Sequence, residues 1–322
     1  MKKTLAVLAA MLASACAFAQ GYPSKPITFV VAFGAGGDSD LSGRNLAQHA
    51  GKYLNNATIV VVNRVGASGA IGSQFVRQAA PDGYTFLIAR IATHAILPAM
   101  DSKVPYKWND FTMISLLETN PFVCVVKGDS PYRTMGDLVA AMRREPGKLN
   151  FSTSGIGTVQ NLGAQYFFTV VGLTKDHAVG IHYKSGGDVT TALLGGQVQF
   201  ACNNLPTMLS HIKAGTLRAL MVTTPERLKD IADVPTSREL GWPEMERVQG
   251  WSALMGPPGM PKDIVDRWSE VTGKIARDPE WLAQNAKIGG IPAISSPAET
   301  ERYVAEQYEL YYKLATSLGI RQ

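Results

Sequence analysis

Short apolar runs separated by helical patterns constrain this chain more than any other feature of its sequence. Residues 27–33 are almost continuously apolar, which suits a strand buried on both faces of a parallel sheet. Similar runs recur at 58–62, 84–88, 112–117, 121–126, 198–201 and 217–222. Such alternation predicts right-handed βαβ crossovers and a doubly wound α/β architecture. At 322 residues the chain is too long for one ordinary core, so two lobes are expected. No repeat or low-complexity linker divides it, and the lobes must therefore be joined by strands, with crossings expected near 117–123 and 222–225. That puts residues 20–122 and 224–322 in the first lobe and 123–223 in the second. Each is expected as a mainly parallel sheet flanked by helices, with a ligand cleft between the lobes.

Several helix starts are legible. Thr134 and Asp137 form a capping-box pair opening a helix through Met142, which Glu145-Pro146-Gly147 stops. Ser296, Pro297 and Glu299 form another start, with proline at the first helical position. Beyond it Val304, Tyr308, Tyr311 and Ala315 recur at helical spacing and predict one buried face of a long C-terminal helix.

The first residues read as an export signal. Lys2 and Lys3 precede a short apolar core at 5–12 and an Ala17-Phe18-Ala19 cleavage site, so residues 1–19 are expected to be removed and the chain to reach the periplasm. Ala13 stands three before Cys16, where lipid attachment favours Leu, which argues against a lipoprotein. Losing Lys2 and Lys3 takes the basic count from 31 to 29 against 26 acids, a formal charge of +3. Basic residues are scattered without an aromatic-basic stripe, which argues against nucleic acid but is compatible with a small anion. Cys124 and Cys202 both fall in apolar strand-like runs and read as buried free thiols rather than a disulfide.

Two glycine-rich turns carry the functional signal. Phe33-Gly34-Ala35-Gly36-Gly37-Asp38-Ser39-Asp40 follows a strand and precedes a helix. Amides exposed there attract a phosphate or carboxylate through free donors and the helix dipole. A dinucleotide fingerprint fails, because Ser39 holds the third glycine position. Phe151-Ser152-Thr153-Ser154-Gly155-Ile156-Gly157-Thr158 repeats the strand–turn–helix arrangement, with Ser154 and Thr158 offering hydroxyls, although Thr158 also suits an N-cap. One such loop is explained by a tight turn; two, one per lobe, suggest an anion clamp. A third segment, Asn63-Arg64-Val65-Gly66-Ala67-Ser68-Gly69-Ala70-Ile71-Gly72, is explained at least as well by close helix-to-sheet packing.

Catalytic patterns are missing from the sequence: no G-x-S-x-G, P-loop, H-E-x-x-H or C-x-x-C occurs, and the five histidines lack ligand-like spacing. No enzyme activity, cofactor or metal is expected. An exported hydrolase built from Ser154 and His182, acting on a small carboxylate or ester, is the alternative, though nothing orients that pair.

From Tyr22 to the C-terminus the sequence resembles the extracytoplasmic receptors of tripartite tricarboxylate transporters, the Bug-type or TctC-like receptors. The resemblance is carried by Tyr22-Pro23-Ser24-Lys25-Pro26-Ile27, Gly36-Gly37 with Asp40, and Asn63-Arg64 with Gly66-Ala67-Ser68-Gly69. It continues through Ala80-Pro81-Asp82-Gly83-Tyr84, Thr93-His94-Ala95-Ile96, Ser154-Gly155-Ile156-Gly157-Thr158, Tyr183-Lys184-Ser185-Gly186-Gly187, Leu194-Gly195-Gly196-Gln197-Val198 and Asp233-Val234-Pro235-Thr236.

The resemblance implies a two-lobed periplasmic binding fold, acting as a monomer that closes on an organic carboxylate and delivers it to small and large membrane subunits. It implies that Phe33, Gly37, Asp38 and Ser39, with Ser154, Gly157 and Thr158, hold one carboxylate, and that the loop after the third strand and Asn203-Asn204 face the rest of the ligand. Two residues depart from the family pattern: Asn203 is uncharged where an Asp is common, and Arg90 replaces smaller residues. Arg90 could grip a distal carboxylate or form a rim salt bridge. Lys184 is a candidate charge contact, whereas His94 and Trp251 read as packed residues. With the apolar Phe33, these features lean toward a dianion with an apolar or aromatic body; terephthalate, for which receptors of this family exist, is the leading specific ligand, with citrate-like tricarboxylates and aliphatic dicarboxylates as the alternatives.

Overall fold

The first apolar run forms β1 (Ile27–Val31), flanked in parallel by β2 (Ile59–Asn63) and β3 (Thr85–Arg90) in a computed structural model that describes residues 21–317 and 319–321. The expected signal peptide lies outside the described residues. α1 (Asp38–Ala50) and α2 (Ala70–Arg77) supply the crossovers. A π-helical turn at Ala92–Ile96 and the short α3 (Leu97–Met100) then lead into β4 (Thr112–Lys127). The two runs expected at 112–117 and 121–126 are thus one strand.

The second sheet follows in chain order: α4 (Met135–Arg144), β5 (Leu149–Thr153), α5 (Val159–Val170), β6 (Ala178–His182), α6 (Gly186–Leu194), β7 (Phe200–Asn204), α7 (Leu209–Lys213) and β8 (Leu217–Val222). β5 lies parallel between β6 and β7, while β7 and β8 run antiparallel to the second half of β4. β9 (Gln249–Gly256) inserts antiparallel between β3 and the first half of β4. α8 (Lys262–Ile275), α9 (Pro279–Lys287), β10 (Ile291–Pro292) and α10 (Pro297–Ser317) complete the described chain. β4 changes partner within one step: Pro121 pairs with Gln249 on β9, and Phe122 pairs with Asn204 on β7.

The return crossing comes later than 222–225. Val222 bridges Thr236, and Ile231 and Val234 join the core of Val123, Leu205 and Leu209. Trp242 meets the ring of Phe167 on α5 edge-on. Residues 224–248 therefore pack on the second sheet, and the chain rejoins the first only through β9. This segment is built from short 3-10 turns, at Lys229–Ile231 and Pro243–Arg247, that have no periodic apolar signature.

Both capping motifs form. Thr134 Oγ1 accepts from Asp137 N at 3.1 Å while the Asp137 carboxylate accepts from Thr134 N at 2.9 Å. Ser296 and Glu299 exchange the same pair of bonds at the start of α10. Val304, Tyr311 and Ala315 are buried, whereas Tyr308 is half-buried beside Trp108.

The expectation of free thiols is overturned. Cys124 and Cys202 stand directly opposite each other on β4 and β7, fully buried, and are joined by a disulfide. Apolar surroundings alone do not separate the two outcomes; strand register does, because it brings the side chains together on one face. The bond closes a loop of sequence separation 78. Replacing both cysteines by alanine should lower the unfolding free energy by about 2–4 kcal/mol in guanidinium titrations. An unchanged midpoint would show that the bond does not constrain the unfolded chain.

Candidate functional site

The C-terminal ends of β1, β3, β5 and β7 converge on one small cavity of about 20 Å³ between the sheets, the place where open α/β sheets present loops to ligands. Three helices begin at its wall. α1 starts from Gly37 and α5 from Thr158, both in extended conformation and neither capped by a side chain. α6 starts at Gly186, where the Ser185 hydroxyl accepts from Asp188 N at 3.1 Å. The first N–H groups of each helix have no intrahelical acceptor, and the three dipoles add a positive potential.

The first glycine turn is held from behind. Asp40 accepts from Gly36 N at 3.0 Å, Arg44 Nε at 2.9 Å and Asn63 Nδ2 at 2.9 Å. Burial raises the Asp40 pKa, but these donors outweigh it and hold the carboxyl below its usual range. Asn63 also donates to Phe33 O at 2.9 Å. Asp40 and Asn63 thus shape the turn.

Closure is visible in contacts between the two sides. Gly34 N donates to Lys184 O at 3.4 Å, and Gly157 N donates to Ser68 Oγ at 3.3 Å. Gly34 and Gly37 pack against Ser185 so closely that a Cβ on either would lie 3.1 or 3.2 Å from the Ser185 Cβ. The third glycine-rich segment takes part through Ser68. Its Gly72 serves close packing, since a Cβ there would lie 2.7 Å from Arg64 O.

Arg90 is 4% exposed and sits in a buried polar cluster. Its Nη1 donates to Asn120 Oδ1 at 2.7 Å and Ser252 Oγ at 2.6 Å, and its Nη2 to Asp38 Oδ2 at 3.2 Å. Asp38 Oδ2 also accepts from Asn204 Nδ2 across the cleft at 2.6 Å. Glu118 lies alongside and accepts from Ser42 Oγ at 3.0 Å. Burial pushes both the Asp38 and Glu118 carboxyls up; Arg90 pulls each back, with help from Asn204 at Asp38 and from Ser252 and Ser42 at Glu118. Arg90 is therefore neither a rim salt bridge nor a free guanidinium.

Of the residues expected in the site, Phe33, Gly37, Asp38, Ser39, Arg90, Ser154 and Asn204 line the cavity. Gly157, Thr158, Lys184 and Asn203 do not. The Thr158 hydroxyl donates to Gly155 O at 2.7 Å, and Lys184 is exposed, contributing only its backbone oxygen. Asn203 accepts from Gln160 Nε2 at 2.6 Å and donates to Thr207 Oγ1 at 3.1 Å.

Ile91, Ala92, Val159, Gln160 and Gly186 also line the cavity, Ile91 and Ala92 in the loop after β3 that is expected to face the ligand, whereas Val159 and Gln160 were not singled out. Each directly follows a strand end or a helix-starting loop, which was the available signal. His94 and Trp251 are fully buried, as their packed reading requires, though His94 Nδ1 is bonded by Thr93 Oγ1 rather than by backbone. Among the described residues, no helix is long and apolar enough to cross a membrane.

Comparison with known proteins gives a consistent neighbourhood. The family model "Tripartite tricarboxylate transporter family receptor" matches residues 43–320. Protein BugT of Bordetella pertussis is 29% identical over 100% of this chain and 99% of its own length. The solved structure of the periplasmic binding protein BugD has a TM-score of 0.87 at 27% identity, covering 93% of this chain and 99% of that one. R. palustris Rpa4515, solved with adipate, has a TM-score of 0.87 at 27% identity, covering 92% and 98%.

Two outcomes test this description. Arg90→Ala should cost about 3–5 kcal/mol of stability, because it strands buried carboxyls, whereas Glu118→Gln should be near neutral or stabilising; equal losses in denaturant melts would contradict the assigned cluster. Burial pushes the His94 pKa down to about 3, so the folded chain stays neutral there while the unfolded chain takes up a proton below about 6.5. Stability should therefore fall as pH drops from about 6.5 toward 3, and His94→Gln should remove up to about 1.4 kcal/mol per pH unit of that slope.

Proposed function

This chain belongs to the tripartite tricarboxylate transporter receptor family, and from that premise we propose that it captures an organic carboxylate in the periplasm and hands it to the small and large membrane subunits of such a transporter. The family is one of substrate-binding receptors rather than enzymes. The observation that carries the reading is the convergence of three helix starts on one interlobe cavity. The adipate bound by Rpa4515 supports a carboxylate as the class of ligand.

The carboxylate docks on the amides opening α1 and α5, with the Ser39 and Ser154 hydroxyls beside them, and closure exchanges its hydration for fixed donors. Binding shifts the open–closed population by the ligand's preference for the closed form, the species offered to the membrane subunits. Phe33, Ile91, Ala92 and Val159 give the cavity an apolar wall suited to a hydrocarbon body. Terephthalate has less support than the carboxylate class. Arg90, its expected distal clamp, is already matched by Asp38, and Asn203 is spent on its neighbours.

The hydrolase alternative loses its pair. His182 Nδ1 is bonded by Thr153 Oγ1 at 2.8 Å, and burial lowers its pKa. A thermal-shift screen of carboxylates should find an acid that stabilises the protein by about 2.7 kcal/mol at a hundredfold excess over Kd. That acid should be recovered intact after incubation, and Ser154→Ala should weaken its binding. Chemical conversion of the acid would favour the hydrolase instead.

A further inference from the structure

Asp38 presents one carboxylate oxygen that nothing in the protein satisfies. Arg90 Nη2 and Asn204 Nδ2 both donate to Oδ2, at 3.2 and 2.6 Å. Oδ1 is buried and has no hydrogen-bond partner among the described residues. The Asp38 side chain is 5% exposed, and the residue lines the cavity. Buried carboxylate oxygens are ordinarily paired, so an orphan in a cavity wall marks a place for a donor.

The surrounding groups do not supply that donor. Arg90 Nη1 is spent on Asn120 and Ser252, and the Asn204 amide nitrogen is spent on Oδ2. Nor does this end of the cavity present net positive charge to a second anion, because the guanidinium is paired with Asp38 itself. A second carboxylate arriving here would meet a lone carboxylate oxygen and lose its own hydration without a new partner.

We infer that the ligand carries, besides the carboxylate held by the helix starts, a hydrogen-bond donor, hydroxyl or ammonium, that docks on Asp38 Oδ1, and that Asp38 makes the cleft discriminate against acids bearing a second carboxylate at that end. This rests on the reading of the cleft as a carboxylate site and adds the ligand's second functional group. Asp38 is then a specificity-determining residue, with Arg90 and Asn204 fixing which of its oxygens is free.

Two matched series measured by calorimetry on the full folded chain test the inference. One is butyrate with its 2-, 3- and 4-hydroxy and amino derivatives and succinate; the other is benzoate, 4-hydroxybenzoate, 4-aminomethylbenzoate and terephthalate. At least one hydroxy or amino acid should bind about tenfold or more tighter than both its parent and the matched diacid. Hydroxy and amino members distinguish the two donor types.

Asp38→Asn sharpens the test. Arg90 and Asn204 require an oxygen at the Oδ2 position, so the new amide nitrogen should occupy the Oδ1 position and reverse the preference toward the diacid. A merely structural residue would weaken every acid alike. Equal binding of parent and derivative by the native protein, or a native preference for the diacid, would overturn the inference and leave the carboxylate reading intact. Should no acid of either series bind, both would fall. If Asp38→Asn does not fold, the native panel decides the matter alone.

Discussion

The hydrogen-bond ladder of β4 is the constraint on which the rest of the molecule depends. One strand pairs with β9 up to Pro121 and with β7 from Phe122 onward, so two sheets share an unbroken backbone. That continuity fixes how β1 and β3 on one side face β5 and β7 on the other. Their C-terminal ends meet at a cavity because the shared strand leaves no flexible tether between them. The Cys124–Cys202 disulfide fastens the second half of the ladder just beyond the crossing.

A cavity made this way can bind an anion with little net charge. Its donors are backbone amides at helix starts, rigid and already oriented, so closure costs little reorganisation. The charged groups nearby are largely matched to one another. Arg90 is held by Asp38, Asn120 and Ser252 on three different elements, and Asn204 reaches Asp38 from the opposite sheet. Such a buried network adds more to specificity than to stability, because any member left unpaired is costly. It also couples the state of the cleft to contact between the lobes.

Much of the scaffold was legible because its signals are local. Buried strands read as apolar runs, and the starts of α4 and α10 read as Thr134–Asp137 and Ser296–Glu299 pairs, since the cap and its partner are three residues apart. β6 and β9 were not legible. β6 is half-exposed, and β9 breaks its apolar pattern with Gly250 and Ser252. The irregular segment before β9 has no period at all, so the sequence does not mark where the chain leaves the second sheet.

For the cavity, the sequence by itself determined which loops could offer backbone donors: glycine-rich turns between a strand and a helix start do so wherever the chain takes them. Tertiary structure decided which side chains in those loops line the cavity. Asn203 and Asn204 are neighbours, yet successive residues of a strand point to opposite faces, so one is spent in the core and the other lines the cavity. Arg90 was visible as a charge, but its pairing with Asp38, and the pairing of Cys124 with Cys202, depend on register and on elements distant in sequence. Local spacing carries information about hydrogen bonds within a turn; contacts between strands are set by packing of the whole sheet, which no short stretch of sequence records.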